Sequence, residues 1–317
     1  MAPMELGLVI VTGELKATGT TRWTLVRDLA LRAEAMGLDT VWVIDELLWS
    51  PKDKPRQGFW DGVAMAGAVA AVTSRIKVGT WILSALHRNA GITAKAVETI
   101  DEISGGRFVF GLGAGHVWPG QATAFGLPED HIHSRFEEAL QVIVPLLRDG
   151  RADFQGAYHS ARDLEQRPVG PRPGRIPLMI GGHGPKMLRL AATHADIWSC
   201  YAEEHNDLTE FGPRIAAFEA ACVEVGRDPA TIGRSAGISV APLVGGGAPL
   251  VGGGEADEAT SADDAPSSDL HGDAESIAAA FRTFEDAGYT QLEFLLAPQT
   301  VEALDAMAPV VARYRDR

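Results

Sequence analysis

The fold is decided by the stretch Thr24-Leu-Val-Arg-Asp-Leu-Ala-Leu-Arg-Ala-Glu-Ala-Met-Gly-Leu-Asp-Thr-Val-Trp-Val-Ile44. Apolar residues recur three and four positions apart as far as Met36 and form one helical stripe. Gly37 is suited to the left-handed conformation that ends a helix. The apolar run from Thr40 to Ile44 then predicts a buried strand. The stretch is therefore a helix, a tight break and a strand in succession.

The same succession recurs along the chain, and its apolar runs predict eight strands. These are Leu6–Val11, Thr40–Ile44, Ile76–Leu83, Phe108–Leu112, Leu178–Ile180, Ala195–Ser199, Gly237–Ala241 and Gln291–Leu296. Helices that alternate with apolar strands predict an α/β protein with a parallel sheet. Eight such units favour a closed (β/α)8 TIM barrel, with an open doubly wound sheet as the alternative.

Two segments interrupt this alternation of helices and strands. Gly150–Pro177 predicts a hairpin and loop inserted before the fifth strand. Gly245–Asp273, after the seventh strand, is rich in Gly and then in acidic residues and Ser, so it predicts a mobile loop. That loop is interpreted as a solvated linker or as a lid. We expect residues 1–317 to form one barrel domain that contains both segments.

Composition limits the classes of partner that we expect and indicates the cellular compartment. The chain has 317 residues, and 28 basic against 42 acidic side chains give a net charge of −14. This charge disfavours nucleic acids and membrane surfaces. The longest apolar run, Gly62–Val72, is about half of the ~20 residues that a membrane span needs. Glu5 interrupts any signal peptide, and two cysteines imply no disulfide framework, so we expect a cytoplasmic protein.

Two glycine-rich turns follow predicted strands, where the active site of a barrel is built. Gly111-Leu-Gly-Ala-Gly115 has the wrong spacing for a dinucleotide loop, and it is interpreted as a turn that lets a ligand lie against bare backbone. Gly181-Gly-His-Gly-Pro185 follows a strand and opens a helix. Free backbone N–H groups at such a helix start bind anions, although a tight turn without a ligand fits the same residues.

Three titratable residues also follow predicted strands. Asp45 and Glu46 come after the second strand, and His116 comes after the fourth. A histidine near neutral pH can donate or accept a proton, and a carboxylate within ~4–6 Å would favour its charged form. His131 and His133 have no third ligand at a recognisable spacing, so no metal site is predicted.

Several motifs together resemble the bacterial luciferase-like monooxygenase family. They are Ala70-Ala-Val-Thr-Ser-Arg-Ile-Lys-Val-Gly-Thr80, Ile100-Asp-Glu-Ile-Ser-Gly-Gly-Arg-Phe108 and Gly111-Leu-Gly-Ala-Gly115, followed in order by Phe125-Gly126, Arg135–Ala139, Phe154–Gly156, Ile180–Gly182 and Ala195–Trp198. The resemblance implies a (β/α)8 barrel that binds FMN or the deazaflavin coenzyme F420.

The resemblance also implies the cofactor-binding residues. Carried over by position, they are Asp45, Ser84, Ala114, Gly115, Gly181, Gly182 and Gly184, together with Trp81 and Ile82, whose bond falls where many members bulge or hold a non-prolyl cis peptide. The Gly-Gly turn is more similar to the deazaflavin branch. The chain departs from that branch at Glu46, where a histidine is usual, and at His116, where an acid is often found.

The resemblance implies an oxidoreductase that transfers a hydride between coenzyme F420 and a small organic substrate. His116 and Glu46 are the predicted catalytic residues. The alternatives are an FMN-dependent monooxygenase that uses O2 and reduced flavin from a partner reductase, and a non-catalytic flavin-binding protein. A barrel hydrolase using Asp45 and Glu46 is a further alternative. Members of the family are often homodimers, so a homodimer is expected.

Overall fold

A computed structural model describes residues 3–15, 18–50, 55–116, 120–203, 205–244, 248–249 and 269–316. Eight parallel strands form its centre. They are β1 (Glu5–Ile10), β2 (Thr40–Val43), β3 (Lys77–Thr80), β4 (Phe108–Gly113), β5 (Leu178–Gly181), β6 (Ile197–Tyr201), β7 (Gly233–Val244) and β8 (Gln291–Leu296). Each strand pairs with the next, and β8 pairs with β1, for example Phe294 with Leu8. The closed barrel is therefore confirmed, and the open sheet is excluded.

Helices surround the barrel on its outer side, and one short helix, Gln121–Phe125, lies in the loop after β4. They are α1 (Trp23–Met36), α2 (Gly62–Val72), α3 (Ala90–Ser104), α4 (Gln121–Phe125), α5 (Ile132–Asp149), α6 (Pro185–His194), α7 (Leu208–Glu224), α8 (Ala274–Asp286), α9 (Val301–Ala306) and α10 (Ala308–Arg315). As predicted, Gly37 ends α1 in the left-handed conformation, with φ +84°. Buried residues on the inner faces of the helices and the outer faces of the strands form the main core.

Three predicted strands differ from the structure by two residues or more at one end or both, and the seventh begins four residues earlier than predicted, at Gly233. The third is interrupted at Trp81 and Ile82, and Leu83–Ser84 pairs separately with β4. The sixth begins two residues later than predicted, because Asp196 turns the chain and its carboxylate accepts the Leu178 N–H at 2.8 Å.

The insertion before the fifth strand is the predicted hairpin. Arg151–Gln155 pairs antiparallel with Ser160–Glu165. At the second interruption, Leu270–Gly272 pairs in parallel with β7, and Ala248–Pro249 pairs antiparallel with the end of β7. Residues 245–247 and 250–268 lie outside the described residues. They make up most of Gly245–Asp273, the segment for which a mobile loop was predicted.

A second, smaller core fills the barrel interior and is built around Trp42. A Cβ atom on Gly7 or on Gly79 would overlap the Trp42 ring, so both strands need glycine where they approach the indole. Val9, Val109 and Met179 complete this layer. The interior is thus a packed support for the groups at the C-terminal ends of the strands.

Candidate active site

A cavity of about 310 Å³ opens at the C-terminal end of the barrel. Its walls are mainly apolar and aromatic, and its polar groups come from the ends of β2, β5 and β6. The lining residues are Val11, Ile44, Asp45, Glu46, Trp49, Phe59, Trp81, Ile82, Gly181, Gly182, His183, Ser199, Cys200, Tyr201, Glu203 and Leu295. An apolar cleft with a few converging polar groups is the usual form of a small-molecule site.

Trp81 and Ile82 form one side of the cavity. The peptide bond between them is cis, as the resemblance predicts. The Trp81 indole donates from Nε1 to Ser199 Oγ at 3.1 Å and meets Tyr201 edge-on at a centroid distance of 5.6 Å. A Cβ atom on Gly237 would overlap the Trp81 ring, so the glycine makes room for the indole. The indole is therefore held in one orientation.

Asp45 is the centre of a buried polar cluster behind the cavity. Its side chain has no exposed surface. Its Oδ2 accepts from the Arg88 guanidinium at 2.7 Å and from the Ser84 N–H at 3.0 Å, and the His87 ring nitrogen lies 3.2 Å away. Arg88 also donates to Oδ1 at 2.9 Å and continues to the Asp61 carboxylate. The cluster ties the end of β2 to the loop that follows β3.

This cluster decides the charge of Asp45. Burial alone would raise its pKa, but hydrogen bonds from His87 and Arg88 outweigh burial and lower the pKa to about 2. The carboxylate is therefore ionised and fully used by protein groups. A proton-transfer role for Asp45 and the hydrolase alternative both lose support, whereas its predicted contact with a cofactor remains a prediction.

Glu46 and His116, the predicted catalytic pair, have different positions. Glu46 lines the cavity, and the loop after it is fixed by Gln121, whose Oε1 accepts the Leu47 and Leu48 N–H groups. His116 is exposed and is not among the lining residues. Desolvation by the surrounding protein lowers its pKa, which is opposite to the shift that a nearby carboxylate would cause.

Three of the predicted cofactor-binding residues are not among the residues that line the cavity. They are Ser84, Ala114 and Gly115. Ser84 pairs with Gly113 at the end of β4, and Gly115 has φ +93°. A Cβ atom on Gly115 would overlap the Ser84 hydroxyl, so the two loops approach closely. Their predicted contact with the cofactor remains a prediction.

Gly181, Gly182 and Gly184 connect the cavity to the start of α6. Gly181 and Gly182 line the cavity, and Gly182 has φ +128°, a conformation suited to glycine. Gly184 precedes α6, Pro185 begins the helix, and no side chain caps it. The predicted turn from strand to helix is confirmed. The Gly182 N–H donates to the Ser199 carbonyl, whereas the first N–H groups of α6 have no carbonyl partner within the helix.

The charged groups at the β6 edge of the cavity are paired. Glu203 lies 3.3 Å from the Arg214 guanidinium and 3.7 Å from the His183 ring. Among the described lining residues there is no lysine or arginine. Across the described ranges, no group of three or more His, Cys, Asp and Glu side chains could hold a metal ion. The same part of the chain has no helix long and apolar enough to cross a bilayer.

A model of the luciferase-like monooxygenase family matches residues 4–243. The chain belongs to this family. Its members are oxidoreductases, among them monooxygenases. The described fold and the position of the cavity agree with this assignment.

Three similar proteins comprise two F420-dependent dehydrogenases and one monooxygenase. A "F420-dependent glucose-6-phosphate dehydrogenase" of Kineococcus radiotolerans is 30% identical over 57% of this chain and 53% of its own. A "Pyrimidine monooxygenase RutA" of Cronobacter sakazakii is 34% identical over 54% and 52%. The chain thus spans about half the length of these curated relatives. A solved F420-dependent secondary alcohol dehydrogenase, in complex with an F420-acetone adduct, has a TM-score of 0.78 at 19% identity and covers 99% of this chain and all of its own, which shows the fold.

Sequence reasoning missed several residues of the site. The pairing of Asp45 with Arg88, 43 residues away, was not predicted, although both follow strands. Phe59 and Glu203 line the cavity from segments without a motif. The only signal in the sequence for the Asp45 cluster was that an acidic residue, Asp45, and a basic residue, Arg88, follow consecutive strands.

Proposed function

We propose that this protein is an oxidoreductase that uses coenzyme F420 to transfer a hydride to or from a small uncharged organic substrate. The observation that carries the proposal is the form of the cavity. It extends from the oriented indole of Trp81 to the glycine turn before α6. A planar ring with a phosphate-bearing tail matches this combination of an aromatic wall and free backbone N–H groups.

The residues present fit such a cofactor. Trp81 and Ile82 give a flat apolar surface for a ring, and Gly184 leaves the backbone at the start of α6 accessible to a phosphate. A Cβ atom added to Gly184 would meet no heavy atom within 4 Å, so the space before the helix is open. When bound, the deazaflavin ring supplies the carbon that carries the hydride. The F420-dependent relative and the F420-dependent fold neighbour support this cofactor.

Glu46 holds the proton that accompanies hydride transfer in this proposal. It faces the cavity, whereas the neighbouring Asp45 is committed to Arg88. A carboxyl group within hydrogen-bond reach of a substrate oxygen can act as general acid or base. His116, on the adjoining rim, is the second candidate for this role.

The charges around the cavity indicate an uncharged substrate. The lining carboxylates are Asp45, Glu46 and Glu203, and the described lining residues include no lysine or arginine that could bind a phosphate or carboxylate of the substrate. The nearby cations Arg88 and Arg214 are engaged with Asp45 and Glu203, so an anionic substrate would be desolvated without a cation to compensate its charge. We therefore expect secondary alcohols or ketones to be better substrates than glucose 6-phosphate.

The test compares cofactors and then substrates. Purified protein is titrated with coenzyme F420 and with FMN, and we expect the dissociation constant for F420 to be lower by about tenfold or more. Reduced F420 is then mixed anaerobically with acetone, and F420 with isopropanol or glucose 6-phosphate. Turnover of the ketone or alcohol without O2 supports the proposal. Tighter FMN binding, together with turnover that requires O2, would overturn it.

The similarity to pyrimidine monooxygenases favours a second candidate. In that function the protein would use FMN, O2 and reduced flavin from a partner reductase. The same experiment separates the two, because only the monooxygenase consumes O2 and depends on an added reductase.

A further inference from the structure

A chain of hydrogen-bonding side chains runs from the cavity into the barrel interior. Trp81 Nε1 donates to Ser199 Oγ at 3.1 Å, and the Ser199 and Ser235 hydroxyl oxygens lie 3.3 Å apart. Ser235 Oγ lies 3.2 Å from Glu293 Oε1. The two serines and Glu293 are at most 2% exposed. Because Trp81 and Ser199 line the cavity, the chain connects the cavity to a buried carboxyl group.

Glu293 occupies space that its neighbouring strands leave open. It lies on β8, opposite Gly7 of β1 and Gly237 of β7. A Cβ atom on Gly7 would overlap the Glu293 carboxyl group. Leu295, two residues further along the same face of β8, lines the cavity. Glu293 is therefore one layer of side chains below the cavity.

Burial raises the pKa of Glu293 to about 8, and the Ser235 hydroxyl and Trp42 indole offset this only in part. Two carboxylates on neighbouring elements, Glu5 and Asp39, also raise the pKa of Glu293, because like charges disfavour its ionised form.

The charged partners of these two carboxylates lie further out. Lys77 of β3 pairs with Glu5 at 2.5 Å, and Arg315 at the end of α10 pairs with Asp39 at 2.6 Å. Both cations are thus engaged with other carboxylates, and Glu293 changes charge in the neutral to mildly alkaline range.

We infer that the protonation state of Glu293 sets whether the Ser199 hydroxyl donates or accepts a hydrogen bond at the cavity. Glu293 is thus a positioning residue that acts through Ser235 and Ser199. The inference rests on the proposed function only in taking the ligand of the cavity to be the cofactor.

The two states follow from the donors and acceptors in the chain. The neutral acid can donate to Ser235, which then donates to Ser199 and leaves the Ser199 proton free to point into the cavity. The ionised carboxylate can only accept, so Ser235 donates to it and Ser199 donates to Ser235, which leaves Ser199 one lone pair for the cavity. The Trp81 N–H donates to Ser199 in either state, because an indole nitrogen cannot accept.

The first test uses the protein without cofactor. Difference infrared spectroscopy follows the C=O stretch of protonated carboxyl groups as the pH rises from about 6 to 10. We expect wild type to lose a buried-acid band near pH 8, and E293Q to lack this change. E98Q is the matched control, because Glu98 is a buried carboxylate on α3, outside the barrel. The same band change in E293Q, or none in wild type, would overturn the inference.

The second test asks whether the hydrogen-bonded serines transmit the change in Glu293 protonation to the cavity. The affinity for F420 is measured over the same pH range in wild type and in S235A, which interrupts the chain but keeps Glu293. We expect a step of about two- to tenfold near pH 8 in wild type, the worth of one hydrogen bond, and no such step in S235A. A step that persists in S235A while its infrared band still titrates would disprove transmission through Ser235.

A failure of F420 to bind would contradict the proposed function but not this inference. In that case the emission of Trp81, isolated by subtracting the spectrum of W81F, reports the Ser199 state in the unliganded protein. We expect a pH step in wild type that S235A removes. Equal steps in both proteins would overturn the inference.

Discussion

Asp45 and Glu46 are adjacent in the chain but have opposite surroundings. The Asp45 carboxylate is enclosed and bound by Arg88 and by the Ser84 N–H, whereas Glu46 lines the cavity. Successive residues at a strand end point in different directions, so one acid supports the loop while the other faces the cavity. We therefore expect substitutions of Asp45 and of Glu46 to have different effects.

Asp45→Asn should destabilise the fold. It leaves the largely buried Arg88 guanidinium without its carboxylate, and breaking such a pair costs about 3–5 kcal/mol. Because the pKa of Asp45 is lowered to about 2, its stabilisation is present above pH 4 and is lost as the pH falls from about 4 to 2. Urea unfolding of both proteins across this range measures the loss.

Asp61→Asn is the matched control for that experiment. Asp61 also binds Arg88, but its side chain is 48% exposed, and asparagine can still cap α2. We expect a change within about 1 kcal/mol. Equal losses in the two variants would contradict a special role for Asp45.

Glu46→Gln should lower turnover by about 10²–10⁴-fold and leave cofactor affinity within a few-fold, as expected for a lost general acid or base. His116→Ala should have the smaller effect, because His116 is not among the lining residues. Steady-state kinetics from pH 6 to 9 and cofactor titrations measure both. A larger loss in His116→Ala would assign the proton to the histidine.

At the scale of elements, α6 provides the sharpest test of the phosphate position. Gly184 precedes the helix at φ −70°, a conformation open to any residue, with free space around it. Gly184→Asp should cap the helix and also place a carboxylate where the cofactor phosphate is proposed to bind. We expect cofactor affinity to fall by about tenfold or more through charge repulsion.

Gly184→Asn separates charge from shape in this experiment. It is of nearly the same size and caps equally well, but it is neutral, so affinity should stay within a few-fold of wild type. Isothermal titration of both variants provides the comparison. Equal affinities in the Asp and Asn variants would place the phosphate elsewhere.

The elements that sequence predicted well are those whose burial leaves a local pattern. Buried parallel strands are continuous apolar runs, so Thr40–Val43 and Gln291–Leu296 were recognised with bounds within a residue. The start of β7, Gly233-Arg-Ser-Ala236, was missed because it contains no large apolar side chain. Its Ser235 faces Glu293 inside the barrel, and such a contact between distant residues has no local signature.

The same distinction applies to the site. Position after a strand was enough to select Asp45, Glu46 and Gly181, and the family resemblance added Trp81; all four line the cavity. The Asp45–Arg88 pair and the chain from Trp81 to Glu293 could not be predicted, because both depend on barrel closure. Closure brings β6, β7 and β8 side by side, and only then do Ser199, Ser235 and Glu293 line up.

At the scale of the whole molecule, the buried Glu293 should make stability depend on pH. Its pKa is about 8 in the folded protein against an ordinary value of 4.5, so folding takes up a proton between these pH values. The free energy of unfolding contributed by Glu293 therefore falls as the pH rises from about 4.5 to 8, by at most about 1.4 kcal/mol per pH unit. The contribution is constant below this range, where both states are protonated.

Glu293→Gln should remove this dependence, because the amide has no proton to lose and nearly the same shape. Relative to wild type, the variant should gain a few kcal/mol in unfolding free energy between pH 5 and pH 8. Denaturant unfolding at several pH values measures this difference, and Glu98→Gln should follow the wild-type slope. A constant difference between Glu293→Gln and wild type would mean that Glu293 is ionised throughout and that the barrel interior holds a charge rather than an acid.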